Sequence, residues 1–312
     1  MPLRLLTDLD IPQLEQDLAP LGGQVELVRL GQLKELPASV TGDVLLTTAF
    51  AGRHREALLA PERGVRWVHV YGTGVDGFPL AQVQGRQLTC SRGAAAIPIS
   101  EWVMAMLLAD AKQVPASWVK APPAQWYFAS LEVLHGRHLG LLGLGTIGEA
   151  VAERAAAFGM RVSALVRSPR DLPQGIEGVA DERALLANCD YLVLAAPATP
   201  ETHHWLNRER LSIARPGLRV VNIARGSLVD QEALHWALEA GIVARAYLDV
   251  VDPEPLPEGH WLYAHPRVHL SPHISWSDPM AHQRLMAPFL RNLELFLAGQ
   301  SLQGEVDTRA GY

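Results

Sequence analysis

Three glycines and four polar residues carry the chemistry that can be read from this chain. Gly143, Gly145 and Gly148 fall in G-x-G-x-x-G spacing inside LLGLGTIG, directly after an apolar run and at the start of a helix-compatible one. The first glycine permits a tight turn, the second lets a pyrophosphate approach the backbone, and the third lets the helix pack close to the strand. The free amides around Thr146 and Ile147 would then face the phosphates along the helix dipole. The bare spacing also describes an ordinary tight turn; with a strand before it and a helix after it, it points to a dinucleotide site. Further on, Arg225 ends VVNIAR, Asp249 ends ARAYLD, Glu254 lies in the proline-bracketed DPEPLP, and His273 follows VHLSP. Taken singly, Arg225 reads as a solvated loop charge, Glu254 as a turn acid and His273 as a packed loop histidine. Ligands of open parallel sheets bind outside the carboxyl ends of strands. Polar residues recurring past successive strands therefore favour a cation, an acid and a titratable base around one cleft.

The elements that must position these residues alternate between strand and helix. Short β-rich runs at residues 3–6, 25–30, 43–47, 66–71 and 87–90 are interleaved with helix-compatible segments at 11–19 and 53–60. A second series starts at Arg137: strand HLGLLG, a helix from Thr146, strand MRVSALV, then strands at 191–195, 219–223, 244–250 and 268–270. Such alternation predicts an α/β protein with two βα domains, each a parallel sheet flanked by helices. Between the two series, PISEWVMAMLLADAK is apolar nearly all round, as a helix buried on most faces is, and the proline-rich VPASWVKAPPAQW follows as an extended arm. The last helix, 281–298, could return to the first domain.

Composition narrows the class. A chain of 312 residues that is 48% hydrophobic can build a full core and suits two domains better than one. The start MPLRLLTDLD lacks a basic segment ahead of a long apolar core, and the apolar run at 102–109 is too short to cross a bilayer. A soluble, cytoplasmic protein without membrane contact is expected, with Cys90 and Cys189 as reduced structural thiols. A net charge of -6 without a Lys/Arg run argues against nucleic acid and leaves a small anionic ligand possible. His265, His269 and His273 recur four apart, but Pro266 and Pro272 interrupt any helix and VHL reads as strand. Residues four apart on a strand lie about 13 Å apart, whereas zinc needs each ligand at roughly 2 Å. No metal site is expected, and His203 and His204 are given no role.

GLGTIG, NIARGSLVD, LDVVDPEPLP and SPHIS, in that order, resemble the motifs of the D-isomer-specific 2-hydroxyacid dehydrogenase family. YGTGVDGF is similar to its substrate-carboxylate loop, PISEW to its crossing helix and APATPET to a cofactor-flanking loop. The resemblance implies two Rossmann-like, doubly wound parallel-sheet domains with an interdomain cleft. A discontinuous, flavodoxin-like substrate domain would comprise residues 1–98 and 283–312, and the dinucleotide domain residues 99–282. It implies hydride transfer between a nicotinamide and a small 2-oxo acid. Arg225 would pair with the substrate carboxylate and polarise its carbonyl, His273 would donate the proton, and Glu254 would hold the imidazole. Thr73 and Gly74 would offer backbone amides to the carboxylate, Asp249 would contact the nicotinamide carboxamide, and Pro197, Thr202, Ile223 and Ala224 would line the cofactor.

Two positions depart from the family pattern. Trp276 stands where small residues usually follow the histidine, so it either narrows the acyl pocket or packs on the domain face; Ala96 replaces a common Thr near the nicotinamide phosphate. Chain length and the RSPR turn are most similar to the glyoxylate/hydroxypyruvate reductase branch. The absence of an extension after Tyr312 counts against a phosphoglycerate dehydrogenase with a regulatory appendage, and Glu254 counts against formate dehydrogenases. Another small or branched 2-oxo acid, or a dinucleotide-sensing binding protein on the same fold, are the competing expectations.

The resemblance also makes one absence informative. NAD-using members usually carry an Asp at the end of the second strand of the dinucleotide domain, where this chain has Val166. A carboxylate there would repel a 2'-phosphate, whereas Arg167, Ser168 and Arg170 supply two cations and a hydroxyl. NADP(H) is therefore expected over NAD(H), with an ordinary solvated basic turn as the other reading. A homodimer is expected from the apolar 102–109 run and from an arm bearing Trp118 and Trp126, the other reading being an intramolecular contact.

Overall fold

Continuous apolar runs, the mark of strands covered on both faces, assemble into two parallel sheets. The computed structural model describes every residue except Phe50, Ala51, Phe128 and Pro169, so Pro169 of the RSPR turn lies outside the described residues. The elements begin β1 (Leu3–Thr7), α1 (Leu14–Leu18), β2 (Val25–Arg29), β3 (Val44–Thr47), α2 (Arg55–Leu58), β4 (Trp67–Val70), β5 (Gln87–Cys90) and α3 (Ala96–Lys112). They continue β6 (His138–Leu142), α4 (Thr146–Ala157), β7 (Arg161–Leu165), β8 (Ile176–Gly178), α5 (Glu182–Leu186), β9 (Tyr191–Leu194) and α6 (Arg208–Ser212). The last are β10 (Leu218–Asn222), α7 (Gln231–Glu239), β11 (Val243–Leu248), α8 (Trp261–Ala264), β12 (Val268–Leu270) and α9 (Ala281–Leu297). The chain divides into two units, Met1–Ala95 with Asp278–Tyr312, and Ala96–Ser277.

In the first unit the strands run β2-β1-β3-β4-β5, all parallel. Met286, Phe289 and Leu293 on α9 pack with Leu5, Val44, Leu46 and Trp67, so the C-terminal helix completes the core that the N-terminal strands begin. Phe289 stacks on Trp67 with ring centroids 5.4 Å apart.

In the second unit seven parallel strands run β12-β11-β10-β9-β6-β7-β8. From β6 the chain proceeds to β7 and β8 on one side, then crosses to β9 and continues outward to β12. That reversal of direction beside β6 is the switch point at whose carboxyl edge such sheets bind ligands. Helix α3 is fastened to this sheet through Asp110, whose side chain is 3% exposed. Its carboxylate accepts Arg219 Nε at 3.0 Å and Tyr247 Oη at 3.0 Å and pairs with Arg245 Nε at 3.2 Å. A buried carboxylate is tolerable only when its oxygens are filled in this way.

Candidate active site

The glycine turn sits at the switch point, between β6 and α4. Gly143 adopts a φ of 89°, in the left-handed region. A Cβ there would lie 2.9 Å from the Ala196 backbone and one on Gly148 would lie 2.7 Å from the Gly143 carbonyl, whereas at Gly145 no atom would stand within 4 Å. The turn is thus tight against the protein and open at Gly145. No side chain caps the amides that begin the twelve-residue α4 at Thr146 and Ile147. Open space over uncapped helix amides fits a dinucleotide pyrophosphate.

The second strand of this unit, β7, ends at Leu165. Val166 is half-buried, Arg167 and Ser168 are exposed, and Arg170 reaches back to the glycine turn, donating to the Leu144 carbonyl. Arg170 also pairs with Glu149 of α4 at 3.1 Å. Past β9, the Thr202 hydroxyl donates to Pro197 O at 2.7 Å and accepts from Thr199 N at 2.8 Å, closing the loop on itself. Past β10, Ile223 and Ala224 are buried. There Asn222 organises the turn, accepting Ala224 N at 3.1 Å and donating to Arg225 O at 2.9 Å. Gly226 follows because a Cβ there would fall 1.9 Å from the Val251 carbonyl carbon. This close approach presses the Arg225 loop against the one that bears Glu254.

The centre of the arrangement is His273. Its Nδ1 lies 2.8 Å from Glu254 Oε2, while Glu254 Oε1 accepts Val251 N at 3.1 Å. A carboxylate on Nδ1 fixes a proton there and leaves Nε2 as the nitrogen that can meet a ligand. The residue has a φ of 54°, and its amide donates to Asp249 O at 2.8 Å. Asp249 itself is 1% exposed. Its carboxylate accepts Ser271 Oγ at 2.5 Å, Ile274 N at 2.9 Å and Ser275 N at 3.0 Å. The sequence reading assigns Asp249 to the carboxamide and gives it no part in holding this loop. The signal was an acid ending an apolar strand and a serine-flanked histidine, but only the fold pairs β11 with β12. Trp276 Nε1 donates to His273 O at 2.8 Å, a second contact that linear reading does not reveal. Thr73 and Gly74 belong to the first unit, half-buried on the loop after β4.

One further cluster invites a metal and is better explained without one. His235, Glu239 and His265 bring ligand atoms within 4.8 Å of one another. His265 Nδ1 accepts Arg267 N at 3.2 Å, so the proton resides on Nε2, which donates to Glu239 Oε1 at 3.1 Å. Arg267 shares that oxygen at 3.3 Å. A metal ion would have to displace the Nε2 proton and compete with the guanidinium.

A family model described as "D-isomer specific 2-hydroxyacid dehydrogenase, NAD binding domain" matches residues 104–275. The chain is 30% identical over 295 residues to a D-3-phosphoglycerate dehydrogenase of Methanocaldococcus jannaschii, covering 91% of this chain and 56% of that one. The chain thus spans little more than half the length of that relative. It is 33% identical over 244 residues to a glyoxylate reductase of Thermofilum pendens, covering 75% and 72% of the two chains. A D-isomer specific 2-hydroxyacid dehydrogenase of Xanthobacter autotrophicus Py2, solved with NADPH and MES, superposes with a TM-score of 0.85 at 27% identity, covering all of both chains. With the matched domain spanning the glycine turn and Arg225, Glu254 and His273, the chain belongs to the D-isomer specific 2-hydroxyacid dehydrogenase family.

Proposed function

We propose that this chain reduces a small 2-oxo acid of the glyoxylate/hydroxypyruvate type to the D-2-hydroxy acid, using NADP(H) in preference to NAD(H). The observation that carries the reading is the Glu254–His273 pair at 2.8 Å, an imidazole held by one nitrogen and available by the other. The glycine turn and the amides of Thr146 and Ile147 would hold the dinucleotide, which would supply the hydride. Arg225 presents a planar fork of donors to the planar carboxylate of the substrate and draws electron density from its carbonyl. His273 Nε2 gives the proton to the carbonyl oxygen as it becomes a hydroxyl, and Glu254 keeps the ring oriented throughout. Asp249 anchors the loop, and its remaining lone-pair capacity serves the carboxamide.

Val166 in place of an acid, with Arg167, Ser168 and Arg170 beyond it, supports the cofactor preference. The solved Xanthobacter relative binds NADPH. The natural working form is proposed as a cytoplasmic homodimer, in keeping with exposed Trp118 and Trp126 on the arm, 68% and 60% accessible. Sedimentation at low micromolar concentration should then give twice the 34.0 kDa chain mass.

The deciding assay follows loss of the NADPH absorbance with glyoxylate, hydroxypyruvate, pyruvate and longer 2-oxo acids. Turnover is expected with the first two, and consumption with none of them would overturn the reading.

A further inference from the structure

The backbone of His273 is in a conformation that its residue type resists. A side chain at a φ of 54° places Cβ against the carbonyl oxygen, which L-residues other than glycine rarely tolerate. Such a conformation persists only where the surroundings over-determine it. Three groups do so here. The amide is held by Asp249 O at 2.8 Å, the ring by Glu254 at 2.8 Å, and the carbonyl by the Trp276 indole at 2.8 Å. The first two come from the segment that follows β11, not from the loop of His273 itself. The third comes from the same loop, three residues on, at a position whose side chain is 41% exposed.

We propose that Trp276 is a positioning residue: its indole N–H, donated to the His273 carbonyl, locks the left-handed turn from which the imidazole meets Glu254 and presents Nε2 to the substrate. A residue without a side-chain donor would leave that carbonyl to water and let the peptide rotate toward the commoner right-handed region. The same indole sets an aromatic wall beside the backbone of His273. Donor and wall are separate functions of one ring, and different substitutions remove them. The inference rests on the reductase reading given above, but its structural half can be measured without turnover.

Trp276→Phe keeps an aromatic wall and deletes the donor; Trp276→Gln keeps an N–H that can reach the carbonyl and deletes the wall. A net hydrogen bond is worth about 0.5–1.5 kcal/mol, so Trp276→Phe should lower kcat by roughly two- to tenfold. KM for the 2-oxo acid and the dissociation constant for NADPH should stay near their original values. Trp276→Gln should recover most of that kcat. Unchanged kcat in Trp276→Phe, or an equal loss in both variants, would overturn the positioning role. Independently of activity, the Trp276 indole N–H of 15N-labelled protein, assigned by its loss in Trp276→Phe, should exchange with solvent far more slowly than those of the exposed Trp118 and Trp126. Exchange as fast as theirs would overturn the hydrogen bond, even if the chain reduced none of the acids tried.

Discussion

The loop that carries His273 and the turn that carries Arg167 both follow strands of the seven-stranded sheet, yet they are held in opposite ways. The His273 loop is drawn onto one buried carboxylate, Asp249, which takes three donors at 2.5–3.0 Å. In the turn after β7, Arg167 and Ser168 are exposed, and Arg170 is tied to Glu149 with both side chains nearly half exposed. The difference fits the two tasks proposed for them. Proton transfer needs atoms fixed to within tenths of an ångström, and buried charge-assisted hydrogen bonds can do this because breaking one leaves an unsatisfied donor that costs about 1–3 kcal/mol. Recognition of a phosphate needs only positive charge within reach, and exposed side chains provide it with little structural commitment, each pair worth about 0–1 kcal/mol. Substitutions should therefore damage the first loop through geometry and the second through charge alone.

The largest effect is expected at the reacting group. His273→Ala should lower kcat/KM for a 2-oxo acid by roughly 10²–10⁴-fold, the usual worth of general acid catalysis, with NADPH affinity nearly intact by fluorescence titration. Normal turnover in that variant would remove His273 from the mechanism.

Asp249→Asn tests whether the anchor matters for geometry or for the cofactor. The amide nitrogen cannot accept a hydrogen bond, so Ile274 N or Ser275 N loses its partner. A loss of about 1–3 kcal/mol should appear as a lower denaturant midpoint, with kcat reduced on the order of tenfold to a hundredfold as the His273 loop shifts. If instead the midpoint holds and only KM for NADPH rises, the carboxamide contact is the dominant role of Asp249 and the contrast between the two loops weakens.

The same contrast explains what could be read from the sequence. Strands such as YLVL at β9 and HLGLL at β6 are buried at every position, and a fully covered strand needs an unbroken apolar run. Helix α4 begins at Thr146 as expected, because the glycine turn marks its start. By contrast β8, Ile176–Gly178, is a three-residue edge strand with no buried side chain, so it carries no pattern to detect. Helices α5 and α6 are five residues each, under two turns, too short for a 3.6-residue period to emerge, although Asp181 and Asn207 cap them. At the site, chemistry-bearing residue types past strand ends were legible, since each motif is local. The partners of those residues were not, because Asp249 and the Ile274 amide are 25 positions apart and meet only through strand pairing. The His235–Glu239–His265 cluster was likewise invisible to a search for evenly spaced histidines, since α7 supplies two members and the end of α8 the third.

Selectivity at the exposed turn should respond to charge. Val166→Asp combined with Arg167→Ala should move preference from NADPH toward NADH by about ten- to a hundredfold, as expected for losing one charged hydrogen bond of roughly 1.5–3 kcal/mol. The measurement is kcat/KM for both cofactors on one 2-oxo acid at fixed salt, because exposed arginine contacts are screened. Equal use of the two cofactors by the unmodified protein would reduce RSPR to a solvated basic turn.

The smallest effect is the most informative about Arg170. Its guanidinium has two partners belonging to the glycine turn and its helix, Leu144 O and Glu149, so it is either a support for that turn or a phosphate ligand whose charge Glu149 partly offsets. Glu149→Gln separates these roles. Removing the acid leaves the guanidinium in place but unneutralised, and it also removes a negative charge from the neighbourhood of a bound 2'-phosphate. An exposed pair of this kind is worth at most about 1 kcal/mol, so the NADPH-to-NADH ratio of kcat/KM should rise by no more than roughly fivefold, and less at high salt. Arg170→Ala should move the ratio the other way while leaving NADH kinetics unchanged. If both substitutions instead weaken NADH and NADPH alike, Arg170 holds the glycine turn through the Leu144 carbonyl, and cofactor choice falls to Arg167 and Ser168 alone.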